Sequence, residues 1–160
     1  MEQEGEQQEN AVTETYFDYN NQPVTGAKGF VTRVRQMRKK KVLSESWYDE
    51  KGEPMFIGGE TYCRVDYTYD KAGNVNREKY YDADGLPVRC KGGYAIVYRE
   101  YDTANRLVYE KYYDTDGFAI MNSEGAVSYR YEYDDDGNLI KTTAYDYFDH
   151  EVQTDGNNTQ

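Results

Sequence analysis

Short runs of alternating apolar and polar residues are separated along this chain by turns of one kind. Val65–Tyr69 and Val75–Lys79 flank Asp70-Lys71-Ala72-Gly73, and the same Asp-x-x-Gly or Asp-x-x-Asn punctuation recurs at Asp18–Asn21, Asp49–Gly52, Asp82–Gly85, Asp102–Asn105, Asp114–Gly117 and Asp134–Gly137. Alternation with period two predicts half-buried strands. The punctuation predicts type I turns closed by a left-handed residue, a common way to join the arms of a hairpin. Asn21 and Asn105 stand where the other turns carry Gly. Asn is the residue after Gly that best tolerates positive φ, so all of these positions are predicted to be left-handed.

The turns are evenly spaced. Tyr-Asp pairs begin at 48, 69, 81, 101, 113, 133 and 145, so from residue 69 onward the pattern returns every 32 residues (69 to 101 to 133, 81 to 113 to 145). A period of this length predicts a stack of supersecondary units. The expected fold is therefore all-β: tandem β-hairpin repeats of about 32 residues forming a twisted sheet or solenoid-like array. Four copies would occupy 15–147, between a disordered leader (1–14) and a disordered tail (148–160). Pro23, Pro54 and Pro87 share one column after the first turn of a copy, which predicts a sheet edge or a strand start. The turn Arg38–Lys41 of the first copy is short and basic, so its geometry should differ.

Strict alternation through the pairing across Asp70–Gly73 assigns the faces. It predicts a buried face with Cys63, Val65, Tyr67, Tyr69, Val75 and Tyr81, and an outward face with Arg64, Asp66, Thr68, Asn76, Glu78 and Tyr80. In the next copy Ala95, Val97, Tyr101, Leu107, Tyr109 and Tyr113 would face inward. In the fourth copy Val127, Tyr129, Tyr131, Tyr133, Leu139 and Tyr145 would do the same. Trp47, Tyr80 and Tyr112 then form an outward aromatic column, joined by Tyr98. Such a ladder could stack on the sugar rings of a polymer, or pack on neighbouring units.

Composition adjusts this picture in three ways. With 19 tyrosines and 38% hydrophobic residues, tyrosine has to supply most of the packing. The net charge of −11 argues against a nucleic-acid backbone as partner. No apolar run reaches the roughly 20 residues of a membrane-spanning helix, and the acidic N-terminus MEQEGEQQEN does not read as a signal peptide. Cys63 shares a small apolar column with Val31, Ala95 and Val127 and should be buried, whereas Cys90 is expected in an exposed loop. The acids Asp82/Asp84, Asp114/Asp116 and Asp134–Asp136 lack the spacing of a Ca²⁺ loop and read as turn residues. His150 has no partner at metal or triad spacing. Gly58-Gly59 and Gly92-Gly93 lack the helix of a phosphate loop. No catalytic residues, metal or cofactor are expected.

The segments YDKAGNV (69–75), YDTANRL (101–107) and YDDDGNL (133–139) resemble the YD repeats of Rhs-type bacterial proteins. The longer unit resembles tyrosine-rich tails of clostridial-type envelope and secreted proteins. The resemblance covers roughly residues 16–146. It implies a non-catalytic module at the cell surface or outside the cell that binds a carbohydrate, a cell-wall polymer or a protein. Alternatives are a passive spacer and the accessory tail of a teichoic-acid-type transferase. Exposed sheet edges add self-association as a further expectation.

Overall fold

The computed structural model describes residues 9–153. Ten strands pair in chain order in one open sheet: β1 (Glu9–Thr15), β2 (Thr32–Arg38), β3 (Lys41–Tyr48), β4 (Arg64–Tyr69), β5 (Val75–Tyr81), β6 (Ile96–Tyr101), β7 (Leu107–Tyr113), β8 (Ser128–Tyr133), β9 (Leu139–Tyr145) and β10 (Glu151–Val152). Every pairing is antiparallel. The described residues include no helix. The expected disordered leader, 1–14, is corrected from residue 9 onward, because Glu9–Thr15 pairs with β2 along its whole length. The tail is also partly ordered: β10 pairs with Ala144 and Tyr145, and Val152 packs on the core. Phe148 and His150 lie in the turn before β10, their amides donating to Asp146, and residues 1–8 and 154–160 lie outside the described residues.

The turns form as their residues require. φ is 60° at Asn21 and Asn105, and positive at Gly52, Gly73, Gly85, Gly117 and Gly137. In each turn Asp Oδ1 accepts the amides two and four residues on, as Asp102 does from Ala104 (2.9 Å) and Arg106 (3.0 Å). Asn122 does the same for Glu124 and Ala126 in a connecting loop. The basic turn does differ. Arg38 pairs directly with Lys41 across Lys39-Lys40, with Lys39 left-handed at φ 55°.

One local feature resets the faces. In all four hairpins the partner strand carries an extra residue just after the turn. Tyr69 pairs with Val75 but Thr68 with Arg77, so Asn76 is bulged out. Leu43, Val108 and Ile140 are bulged in the same way. A bulge slips the register by one residue, and in a strand one residue exchanges the two faces. Beyond it Val65 lies opposite Tyr80, and Val97 opposite Tyr112. Tyr80 and Tyr112 therefore point to the core face. Tyr81, Tyr109, Tyr113 and Tyr145, expected inside, point the other way.

The core sits between that face and the connections that fold back over one end of the strands. Phe30, Trp47, Val65, Tyr80 and Cys90 form one cluster, with Met55, Ile57 and Val88 packed on it. Val97, Tyr112, Ala126, Tyr129 and Ala144 form the second, with Tyr94 shared between the two. Cys63 is buried at 3% exposure as its column predicts, alongside Val31, Ala95 and Val127. Cys90 is not exposed. It is a core residue at 8%, and burial raises its thiol pKa above the ordinary value. The loop places it in a turn closed by Gly93 N–H to the Cys90 carbonyl (2.9 Å), in the cluster against which Tyr94 packs. Pro54 and Pro87 bridge the strand ends Tyr48 and Tyr81, and Pro23 bridges Phe17 just past β1, where no ladder N–H is needed.

Hairpins join to one another over a shorter stretch than their own arms do. β5 and β6 pair only through Arg77–Lys79, so neighbouring hairpins splay toward the turn end. Tyrosine hydroxyls close that wedge. Tyr69 donates to the Val42 carbonyl (2.6 Å), Tyr101 to Val75 (3.0 Å) and Tyr133 to Leu107 (2.6 Å). Each bond reaches the preceding hairpin and satisfies a carbonyl that the splayed ladder leaves free.

Candidate functional site

Trp47, Tyr80 and Tyr112 are not a surface ladder. Their exposures are 8%, 6% and 5%. They run through the core in an aromatic row with the loop rings, Trp47–Tyr62 at 6.3 Å, Tyr62–Tyr80 at 4.6 Å, Tyr80–Tyr94 at 6.1 Å and Tyr94–Tyr112 at 4.5 Å. Rings so enclosed cannot stack on a sugar, and their contribution is packing. Burial lifts the Tyr62 hydroxyl pKa to about 12 and raises those of Tyr80 and Tyr112 further. These hydroxyls stay protonated, and those of Tyr80 and Tyr112 donate to Glu78 (3.3 Å) and Glu110 (2.6 Å).

Beside the row runs a line of charge. Arg99 spans Glu78 (2.9 Å) and Glu110 (3.1 Å), and Glu110 also accepts from Tyr112 (2.6 Å) and Tyr131 (3.2 Å). Glu45 takes Arg35 (2.8 Å) and the Tyr67 hydroxyl (2.7 Å) in the same manner. Burial opposes the charge on Arg99, but its two carboxylates outweigh that and raise its pKa. Among the described residues no buried side-chain polar atom lacks a partner. The network is saturated and reads as structure.

The opposite face of the sheet is the accessible one, and Tyr98 lies on it. Its ring stands half-buried in register between Arg77 of β5 and Lys111 of β7. Burial, then its hydrogen bond to Glu100, raises the Tyr98 hydroxyl pKa. A shallow open groove is lined by Arg77, Ile96, Tyr98, Tyr113 and Gly117. Ile96, at 4% exposure, seals its floor. Tyr81, Tyr109 and Tyr113 are half-buried on the same face, each with a cation over its ring: Arg64 and Lys79 above Tyr81 (3.9 and 5.4 Å), Arg130 above Tyr109 (4.8 Å) and Lys111 above Tyr113 (5.7 Å). Strict alternation had placed these three rings inside. Of the four residues expected to meet a ligand, Tyr98 alone lies on the open face, where Tyr81, Tyr109 and Tyr113 also lie.

The remaining candidates resolve into structure. Asp82, Asp114 and Asp134 cap their own turns, and the described residues hold no cluster of three or more His, Cys, Asp or Glu side chains suited to a metal. The His150 side chain is 77% exposed, 3.9 Å from Asp146. Gly92 and Gly93 serve loop packing. Gly92 O accepts from Ser123 N (2.8 Å), and a Cβ at Gly93 would meet that backbone nitrogen at 3.1 Å. No helix among the described residues is long and apolar enough to cross a membrane. No protein-family model matches the chain, and no curated protein matches it.

Proposed function

We propose that this chain is a non-catalytic module of tandem β-hairpin repeats, part of a bacterial cell-surface or secreted protein. It binds a carbohydrate polymer along the open face of its sheet. One observation supports this most: half-buried Tyr98 and Tyr113, from the two strands of one hairpin, line an open groove with Arg77 of the preceding hairpin, on the face the connecting loops leave uncovered and on which Tyr81 also lies. Tyrosine offers a flat apolar ring with a polar rim and little conformational freedom to lose, which suits stacking on a pyranose. A spacer needs no such surface.

Affinity electrophoresis through gels containing cell-wall and capsular polysaccharides tests the reading. Retardation that Tyr98→Ala abolishes, at an unchanged melting temperature, is the expected result. Equal mobility in every gel would leave the spacer. Edge-to-edge self-association is a second reading. β10 covers only Ala144 and Tyr145, so Leu139–Thr143 of β9 has an open edge among the described residues. Light scattering that finds a monomer across a wide concentration range would remove it.

A further inference from the structure

The chain carries a net charge of −11, yet strands β4–β9 present six cations and three carboxylates on the open face. Those carboxylates are already engaged. Asp66 takes Arg64 in two contacts (3.0 and 3.3 Å), Glu100 accepts from Tyr98 (3.1 Å), and Glu132 lies 3.9 Å from Lys141. Among the described residues Arg77, Lys79, Lys111 and Arg130 have no carboxylate within ion-pair distance. Lys79, Lys111 and Arg130 instead lie over tyrosine rings, and Arg77 lines the groove beside Tyr98 and Tyr113.

We infer that the open face selects an acidic polysaccharide, its carboxylates meeting Arg77, Lys79, Lys111 and Arg130 while its sugar rings lie on Tyr98 and its neighbours. The inference deepens the carbohydrate-binding reading and rests on it. Register supplies the spacing. Arg77, Tyr98 and Lys111 form one row across three adjacent strands, so the two cations stand two strand spacings apart, about 10 Å. That is close to the length of a disaccharide, with an aromatic ring midway. In the next row Tyr109 lies opposite Arg130, repeating the pairing of ring and cation. A polymer with rings between its charges uses both groups. A ring-free phosphodiester chain would meet the cations and leave the tyrosines idle. Long-range attraction of a polyanion to this face works against the protein's overall negative field, so affinity should depend on local contacts and fall as salt screens them.

The test is titration calorimetry of the intact chain with polygalacturonate oligomers, neutral dextran oligomers and polyglycerol phosphate. Binding to the polyuronate is expected, weakened by added sodium chloride. Arg77→Gln with Lys111→Gln should raise Kd about tenfold, since each exposed ion pair contributes little alone. Melting temperature of that variant should stay within a few degrees of the parent. If the variant misfolds, the salt dependence of the parent chain's binding decides instead. Equal binding of dextran and polyuronate, insensitive to salt, overturns the acidic selectivity but keeps carbohydrate binding. Polyglycerol phosphate bound as tightly as polyuronate also overturns the selectivity, because rings are then dispensable. Absence of binding to all three overturns both.

Discussion

Replacing Tyr80 by Ala separates a core row from a binding ladder. Tyr80 is 6% exposed, stacks on Tyr62 at 4.6 Å and meets Tyr94 at 6.1 Å. Truncation removes a large buried ring and leaves a void that the strand pairing of β5 with both β4 and β6 prevents from collapsing. The expected loss is about 3–5 kcal/mol, the range for a buried aromatic, out of a total stability of about 5–15 kcal/mol for an ordinary domain. Tyr80→Phe should lose less than about 1 kcal/mol, because its only hydroxyl contact, to Glu78, is long at 3.3 Å. Tyr98→Ala, on the open face, should stay within about 1 kcal/mol of the parent. Urea denaturation followed by tyrosine fluorescence measures all three as shifts in midpoint at constant slope. If Tyr80→Ala cost no more than Tyr98→Ala, the face assignment set by the bulges would be wrong.

Three more outcomes follow from the turns and the inter-hairpin bonds. Tyr101→Phe and Tyr133→Phe should each cost about 1 kcal/mol by orphaning the Val75 and Leu107 carbonyls, and their costs should add, since they lie in different hairpins; two neutral variants in urea denaturation would refute the role of these bonds. Gly85 has φ 76° and open space around its missing Cβ, so Gly85→Val should cost about 1–2 kcal/mol through backbone strain, while Gly85→Asn should be milder by calorimetry. The carboxyl of Asp102, like those of Asp70 and Asp134, is held below its ordinary pKa, chiefly by the amide four residues on. A depressed folded pKa gives stability that is present above the unfolded value of about 3.9 and is lost as pH falls through the folded one. Melting temperature should therefore drop on acidification below about pH 4, and drop less in Asp102→Asn, whose amide can cap the turn as Asn122 does.

Strand positions and turn chemistry were legible because both depend on local residues. Asp with Gly or Asn three positions later sets a turn through its own amides, and positive φ appears at every position read that way. The all-β architecture follows from alternation between such turns. Glu9–Thr15 was missed for a non-local reason. ENAVTET has only two apolar residues, and what orders it is the ladder offered by β2, with Arg33 and Arg38 paired to Glu14 and Glu9. Cys90 was misplaced because loop polarity suggests exposure, whereas this loop folds back and roofs the core.

The faces were misread at one residue per hairpin. Alternation carried from Val65 through the Asp70 turn is correct for β4 and for Val75, then fails at Asn76, because a bulge adds a residue without changing the composition of the strand. Past that point every inward assignment is outward, and Tyr80 exchanges places with Tyr81. Yet the strand carried its own correction. Lys79 shares parity with Tyr81, and Lys111 with Tyr113. Lysine almost never accepts burial without a partner, whereas tyrosine serves on either face. Counting parity backward from lysine puts Tyr81 and Tyr113 on the wet side and Tyr80 and Tyr112 in the core, which is where their exposures place them. In a chain that packs with tyrosine, the aromatic residue does not report its face; the lysine two positions away does, whereas Glu78 and Glu110 share the core side with Tyr80 and Tyr112 because Arg99 pairs them.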